Sequence, residues 1–523
     1  MSAGSALWAP FWWSPGQSLS FVLLSSVGIT CARRSRSGSK SICSSKPCQT
    51  FISSKTRKQW RPGFSGYTRR NRSTCWIRTF CLVSSVSNKG LHVAVIGSGG
   101  REHALCDTIA QSPLCKNLFA IPGNAGMRNC ARLENIQPHE TDKILEFCKL
   151  HEVDLVVVGP EVPLVEGLVD KLVGAGIAAF GPHSNAAILE GSKVWTKKFL
   201  KKWNIPTAQY ECFRSSDLAK DYVARQCCKF PIVIKANGLA AGKGVVIAED
   251  EKTANDAIVS ILDETIFGSA GSEIVIEEYL QGEELSFFAL VDGSTVVPFG
   301  SAQDHKRAFD QDTGPNTGGM GAYSPSPLCT KALESNIMQN ILLPTVRGMM
   351  EEGRPYRGIL YCGLMLTNDG PKVLEYNVRF GDPECQVLCP RLKSDLLQVL
   401  YKVAIGDTKD LHVEWKDDLW SLVVIMASRG YPGSYQKGTV IQHLEQASKT
   451  EGVKIYHSGT DLSPTGEWIA TGGRVLGITG VGNSIQQARD RAYAAIEQIH
   501  WPQGFYRKDI GNKCLETMRR LKQ

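Results

Sequence analysis

From Leu91 the sequence alternates between strand-like and helix-like segments, and this alternation limits the fold more than any other feature. "LHVAVIG" has the apolar, β-branched make-up of a buried strand. "SGGREHALCDTIAQSP" supplies a turn and then a helix, and "NLFAIPGNAG" a second strand with a Gly/Pro stop. "VDLVVVGPE" is a further strand, followed by a helix to about Val173 and then "GIAAFGP". Strands joined by helices pair in parallel through right-handed crossovers. An α/β domain with a parallel sheet is therefore expected over residues 91–191.

The pattern then changes. "SKVWTKKFLKKWNIP" is helical and closes at Pro206. "PIVIKANGLAAGKGVVIAED", a helix through Ile261 and the strand "EIVIEEYL" follow. Asp304–Tyr323 reads as a long Gly-rich loop. "GILYCGLMLTNDGPKVLEYNVRF" reads as two strands joined at Asn368-Asp369-Gly370. Residues 192–407 are thus expected to form a mixed α+β domain. Residues 408–523 carry "SLVVIMAS", "GVKIYHSGT", "RVLGITGVG" and a helix beginning near Ser484, which suits a small α+β cap.

Residues 1–90 are different in kind. They hold 14 of the 59 Lys and Arg residues and no Asp or Glu, so residues 91–523 carry 45 basic against 51 acidic residues. The body is mildly acidic, which argues against a nucleic-acid-binding surface. The Ser- and Arg-rich extension, as in "CARRSRSGSKSICSSK", has the composition of an organelle transit peptide. A plain basic tail is the other reading, and Trp8, Trp12 and Trp13 are unusual for either. Its apolar "LSFVLLSSVGIT" is short for a membrane span and broken by Ser. The twelve Cys beyond it form no C-x-x-C pairs, although Cys227 and Cys228 are adjacent, as in a reduced intracellular protein.

Five stretches carry candidate chemistry. "LEYNVRFGDPECQ" begins with alternation: Leu374, Tyr376, Val378 and Phe380 on one side, Glu375, Asn377 and Arg379 on the other. Glu375 and Asn377 offer the side-chain oxygens that a hard cation such as Mg²⁺ takes while leaving places for water and phosphate. Arg379 can clamp a phosphate or carboxylate. "IKANGLAAGKGV" ends a strand on Lys235 and carries Lys243 between Gly242 and Gly244, a loop of small residues able to close over phosphates. Because Gly244-Val245 runs on into a strand, this is not a Walker loop.

"GSGGREHA" follows a strand and opens a helix, so Gly97, Gly99 and Gly100 suit an anion, with Arg101 and His103 nearby. A tight strand–helix packing turn is the alternative. The second strand ends in Pro122-Gly123, without the acid that a dinucleotide ribose needs, which disfavours a nicotinamide cofactor. "VIEEYLQGEELS" places Glu284 where it could accept ribose hydroxyls, though an ordinary acidic hairpin reads as well. In the Asp304–Tyr323 loop, Asn316, Thr317, Gly318 and Gly319 suit anions.

Taken together, these blocks resemble the ATP-grasp carboxylate–amine ligases, and most closely the phosphoribosylamine–glycine ligase (glycinamide ribonucleotide synthetase) family. The resemblance rests on "GSGGREHA", "GPHSNAAILEGSK", "KANGLAAGKGV", "HKRAFDQDTGPNTGGMGAYSP" and "RFGDPECQ" in that order, with "ASRGYPGSYQKG" and "HSGT" towards the end. It covers Leu91 to the C-terminus. It implies a Rossmann-like N-terminal domain, a central ATP-grasp domain and a small C-terminal α+β domain.

By this resemblance Lys193 and Lys235 contact ATP phosphates, with Gly242, Lys243 and Gly244 as a lid. Glu277, Glu278 and Tyr279 frame adenine and Glu284 the ribose. Glu375 and Asn377 bind Mg²⁺ or Mn²⁺, and Arg379 with Lys235 serves catalysis. Gly97, Gly99, Gly100, Arg101, His103, Asp304, Lys306, Asp312, Asn316, Thr317 and Gly318 receive the other substrates. The implied reaction joins glycine to 5-phosphoribosylamine through glycyl phosphate, releasing ADP and phosphate, as in the second step of purine synthesis. Another acid and amine on the same scaffold is the alternative. Asn237 departs from the family's usual Asp, and a third metal-binding carboxylate is not evident in "YCGLMLT". A monomer with one activity is expected, with no nucleic-acid or membrane partner. A plastid address is expected, or failing that a mitochondrial one.

Overall fold

The computed structural model describes residues 90–225, 229–240 and 244–521. The extension, Cys227, Cys228, Gly242 and Lys243 lie outside the described residues.

The first layer is a five-stranded parallel sheet in the order Arg132–Leu133, Cys115–Pro122, Leu91–Gly97, Leu155–Val158, Ala178–Phe180. Its central segments, residues 93–96, 118–121 and 155–158, are apolar and buried because helices cover both faces. The strand order reverses on either side of Leu91–Gly97, and the open ends there are where a ligand crevice usually forms.

Two helices then lead out of this layer, Ser184–Gly191 and Lys193–Lys202. Ser192 separates them and caps the second, its hydroxyl accepting from the Trp195 amide. A four-stranded antiparallel sheet follows, ordered Tyr210–Phe213, Ile274–Glu278, Ile232–Ala236, Val245–Ala248. Helices Ser216–Ala224 and Glu251–Leu262 pack their apolar stripes on one face of it.

The largest sheet is antiparallel and runs through Gly370–Asn377, Arg357–Thr367, Glu283–Asp292, Val296–Asp304, Gly321–Ser324, Trp420–Ser428, Arg474–Gly482 and Val453–His457. The C-terminal strands therefore extend the central sheet. They do not sit on it as a cap, because Gly321–Ser324 pairs directly with Trp420–Ser428. Helix Ile485–Gln498 packs behind these strands, and a further helix, Asn512–Arg520, follows.

Three local expectations change. Ile274–Glu278 and Glu283–Asp292 do not form a hairpin; they belong to different sheets, so the intervening turn bridges the two. The stretch after Asp304 is not an unstructured loop, since Arg307–Phe309 pairs with Thr313–Asn316 as a ribbon. Leu374 does not share a side with Tyr376 and Val378. The pairing slips between Gly363 opposite Glu375 and Leu364 opposite Val373, leaving Leu374 as the extra residue of a bulge. Val373, Tyr376 and Val378 enter the main core, while Leu374 joins Ala208, Leu280 and Met365 in a separate small apolar cluster.

Candidate active site

The bulge sets the site. It turns Glu375 and Leu374 towards the four-stranded sheet, and the strand ends at Asn377. Glu375 lies opposite Gly363, where even a Cβ would come 3.2 Å from the Glu375 Cγ. The place directly across from Glu375 therefore has no side chain, in keeping with the missing third carboxylate. Among the described residues no group of three or more His, Cys, Asp or Glu is arranged to hold a metal. One carboxylate and one amide oxygen still suit Mg²⁺, which keeps water and phosphate as its other ligands. Burial would raise the Glu375 pKa, but Lys306, Lys235, Lys193 and Arg379 overcome it and hold the carboxylate below its ordinary range.

Two lysines face this strand, one from the four-stranded sheet and one from the helix that precedes it. Lys235 ends Ile232–Ala236, and its Nζ donates to Glu277 at 3.0 Å and to the Leu374 carbonyl at 3.3 Å. Lys193 opens its helix and donates to the Gly238 carbonyl at 2.9 Å; burial lowers its pKa. Asn237 accepts with Oδ1 from the Ser192 hydroxyl (2.9 Å) and the Val194 amide (3.0 Å), so it fixes the start of the Lys193 helix. An Asp could accept both bonds equally. Gly244 is close-packed, since a Cβ there would meet the Ala240 Cβ at 2.7 Å.

Glu277 is only 2% exposed, its carboxylate held by Lys235 and also by Lys197 at 2.9 Å. Sequence reasoning missed Lys197. Glu278 accepts from the Gln209 amide at 2.9 Å, Tyr279 is exposed, and Leu280 lines the small apolar cluster. Residues 278–280 thus border an apolar seat made by Ala208, Met365 and Leu374, none of which was singled out from sequence.

Lys306 places its Nζ 3.0 Å from Glu284 and 3.9 Å from Glu375. Burial works to lower its pKa, but Glu284, Asp304 and Glu375 overcome this and raise it. Burial lifts the Asp304 carboxyl to about 8, against Lys306 and helped by Glu384, Glu284 and Glu375. Glu384, buried in "RFGDPE", accepts from the Tyr361 hydroxyl at 2.7 Å.

Arg379 leaves the strand and turns to the first layer. Its Nη2 donates to Glu190 at 2.9 Å and its Nε lies 3.3 Å from Glu161. Burial raises the Glu190 pKa despite Arg379, whereas Glu161 is drawn below its ordinary range by Arg379 and Arg101 against burial.

The Thr317–Gly319 turn is pinned from both sides. Thr317 Oγ1 donates to the Lys306 carbonyl (2.9 Å), Arg474 Nη1 donates to the Gly318 carbonyl (2.6 Å), and the Gly318 amide donates to the Tyr431 hydroxyl (3.1 Å). Asn316 pairs with Arg307 in the ribbon. Asp312 pairs with Arg507 at 2.8 Å and with Lys513 at the ribbon turn, away from the two sheets' meeting line.

At the first glycine loop the structure finds an internal occupant. The Glu102 carboxylate accepts from the Gly99 amide at 2.7 Å and from Arg101 Nε at 2.6 Å. A Cβ at Gly97 would lie 2.6 Å from the Glu102 Cδ, and one at Gly159 2.0 Å from its Oε1. Gly100 lies against Gln386 and Ser458. Arg101 is buried and also donates to the Phe380 carbonyl at 3.1 Å. His103 accepts from the His457 amide at 2.9 Å, and burial draws its pKa down to about 4. The glycines make room for a buried carboxylate at the helix N-terminus, where a dinucleotide fold would hold phosphate.

Two sheets that close on one polar strip, with one lysine on the smaller sheet, a second at the start of the adjoining helix and a carboxylate–amide pair on the larger sheet, define the ATP-grasp class of enzymes. Comparison with known proteins narrows this. Family models described as phosphoribosylglycinamide synthetase match in series: the N domain over residues 91–190, the ATP-grasp (A) domain over 191–385 and the C domain over 421–513. The chain belongs to the phosphoribosylglycinamide synthetase family.

Its relatives include the chloroplastic phosphoribosylamine–glycine ligase of Arabidopsis thaliana, 52% identical over 84% of this chain and 86% of that protein. The Escherichia coli O6:H1 phosphoribosylamine–glycine ligase is 48% identical over 82% of this chain and 99% of its own length. Among solved structures, the phosphoribosylamine–glycine ligase of Thermotoga maritima superposes with a TM-score of 0.69 at 34% identity, covering 80% of this chain and all of that one. A Campylobacter jejuni biotin carboxylase shares the fold at 14% identity with a TM-score of 0.61, covering 81% of this chain and 94% of that one.

Proposed function

We propose that this enzyme joins glycine to 5-phosphoribosylamine at the expense of ATP, forming glycinamide ribonucleotide, ADP and phosphate in purine biosynthesis. The observation that carries the reading is the strip of Glu375, Asn377, Lys235 and Lys193 in a chain so similar to phosphoribosylamine–glycine ligases. Adenine lies in the seat of Ala208, Leu280, Met365 and Leu374, reading the backbone of residues 278–280. Glu284 takes the ribose, and Lys193 and Lys235 take phosphates. Glu375 and Asn377 would hold Mg²⁺ or Mn²⁺, which would supply charge neutralisation at the phosphates.

Glycine is held with its carboxylate towards Arg379. Its carboxylate oxygen attacks the γ-phosphorus, the bond to the bridging oxygen of ADP breaks, and glycyl phosphate forms. The amine of phosphoribosylamine then attacks the acyl carbon, expels phosphate and releases a proton. No side-chain nucleophile takes part, so positioning and charge carry the rate. The phosphoribosyl group lies between the Thr317–Gly318 turn and the 97–103 loop, and Lys306 supplies charge nearby. Arg101, His103 and Asp312 also make internal bonds, to Glu102, the His457 amide and Arg507, which shape these loops.

The test is ADP release by the purified full chain with each substrate omitted in turn. Release that ignores glycine or phosphoribosylamine would overturn the reading and point to another acid or amine. The extension is a plastid transit peptide in this reading, supported by its composition and by the chloroplastic relative. A fluorescent fusion of residues 1–90 that reaches mitochondria instead would reject the address.

A further inference from the structure

Lys197 lies one helical turn beyond Lys193 and on the same side of the Lys193–Lys202 helix. Its side chain is 4% exposed, so it is almost wholly withdrawn from solvent. Its Nζ reaches Glu277 at 2.9 Å and donates to the Thr207 hydroxyl at 2.7 Å, with the Tyr210 ring 5.8 Å away. Thr207 in turn donates to the Val373 carbonyl at 2.7 Å, next to the bulge that presents Glu375. On the other side of Glu277 is Lys235, at 3.0 Å.

Two buried ammonium groups thus share one buried carboxylate. Burial draws the Lys197 pKa down to about 8 against the pull of Glu277, so at neutral pH both lysines are charged and the trio carries a net charge of one positive unit. Were Glu277 paired with Lys235 alone, the two would neutralise each other, leaving little field for an anion. With Lys197 sharing the carboxylate, the surplus charge remains, and Lys235 is the member beside the polar strip. Burying such a surplus is costly unless an anion answers it. Filling a structural gap does not require this: an apolar residue of the same size packs as well or better than a buried ion.

We propose that Lys197 is a positioning residue which, by sharing the Glu277 carboxylate, keeps the positive charge of Lys235 available to the phosphates of ATP. The proposal rests on the reading of Lys235 as a phosphate-binding lysine. Charge count, and not the identity of any one side chain, then governs nucleotide affinity.

The experiment measures Kd for ATP with Mg²⁺ on the full chain by calorimetric titration, alongside KM and kcat for ADP release. Lys197→Met keeps the length and removes the charge. It is expected to weaken ATP binding about tenfold or more, with kcat at saturating ATP changed far less. Lys197→Arg keeps the charge and is expected to restore most of the affinity. The decisive variant is Lys197→Met with Glu277→Gln, which returns the trio to one positive unit on Lys235. It is expected to bind ATP more tightly than Lys197→Met alone.

A double variant that binds as weakly as Lys197→Met or worse overturns the proposal, since a purely structural role predicts that result. If Lys197→Met alone does not fold, the double variant is judged against Lys235→Met, and equal weakness overturns the proposal. Lys235→Met also separates the two readings. Unchanged ATP binding in it removes the phosphate role of Lys235 itself. A clear defect there beside normal binding in Lys197→Met removes only the role of Lys197.

Discussion

Glu190 holds Arg379 and the backbone beside it with one carboxylate: Oε1 accepts from Arg379 Nη2 at 2.9 Å, and Oε2 from the Val378 amide at 2.8 Å. Glu190 comes from the helix that leaves the parallel sheet, whereas Val378 and Arg379 follow directly on Asn377. The first layer therefore aims both the arginine and the end of the strand that carries Glu375 and Asn377. Glu190→Gln keeps an acceptor for Val378 but leaves the buried guanidinium short of charge. We expect kcat/KM for glycine to fall about 10- to 100-fold, because small misplacements of a positioning group are costly. Steady-state kinetics with glycine varied checks this; values within a factor of about three of the unmodified enzyme would show that Arg379 needs no such anchor.

Glu375 and Asn377 make different demands on a metal. The carboxylate brings charge, and the amide brings only a dipole. Glu375→Gln should cut ADP release by roughly 100-fold or more and raise the Mg²⁺ concentration needed for half activity. Asn377→Ala should act in the same direction but less. Titration of activity against Mg²⁺ and Mn²⁺ reads both. An unchanged metal requirement in Glu375→Gln would remove it from the metal site.

The glycine loop yields a stability prediction. Gly159 faces Glu102 so closely that an added methyl would lie 2.0 Å from its carboxylate oxygen. Gly159→Ala must therefore displace a buried, hydrogen-bonded carboxylate, at a cost of about 2–4 kcal/mol. Denaturant unfolding measures it. If instead stability holds and only the KM for phosphoribosylamine rises, the space belongs to substrate and not to Glu102.

Much of the site was legible because a strand repeats every second residue. Glu375 and Asn377 fall together on that count alone, and Lys235 falls at a strand end. The period failed at Leu374, since a bulge depends on how the partner strand is registered, which local sequence does not express. In "GSGGREHA" the glycines announce free space, yet nothing local says that Glu102, three residues beyond Gly99, will fill it. The pairing of Lys197 and Lys235 with Glu277 joins a helix and two strands far apart in sequence. Asp304–Tyr323 looked structureless because its ribbon is held by Arg507, about 200 residues away, and not by its own periodicity. The 407/408 division followed the run of strand and helix segments, which does not express that one sheet passes through Gly321–Ser324 and Trp420–Ser428.

Arg507 carries the last prediction. It is 1% exposed and binds Asp509 through Nε and Nη2, each at 2.8 Å, and Asp312 through Nη1 at 2.8 Å, while Nη1 also donates to the Arg307 carbonyl. The Gln311 amide donates to Asp509 at 2.8 Å, and Gln311 and Asp312 both have positive φ, 58° and 53°. A turn that side chains seldom adopt is thus held by ion pairs from the C-terminal segment. Burial would raise both aspartates, but hydrogen bonds from Arg507, and for Asp312 from Lys513, hold them below the ordinary 3.8. A carboxylate depressed on folding contributes stability above its unfolded pKa and loses it as pH falls towards the folded one. Unfolding free energy should therefore drop on acidification below about pH 4, the ordinary range for Asp. Arg507→Met removes the shared partner of both carboxylates, so we expect a loss of about 3–5 kcal/mol at neutral pH and a shallower acid limb. Denaturant titrations of both proteins between pH 2 and 7 separate the terms: parallel pH curves would mean that Arg507 does not set the charge state of Asp312 and Asp509.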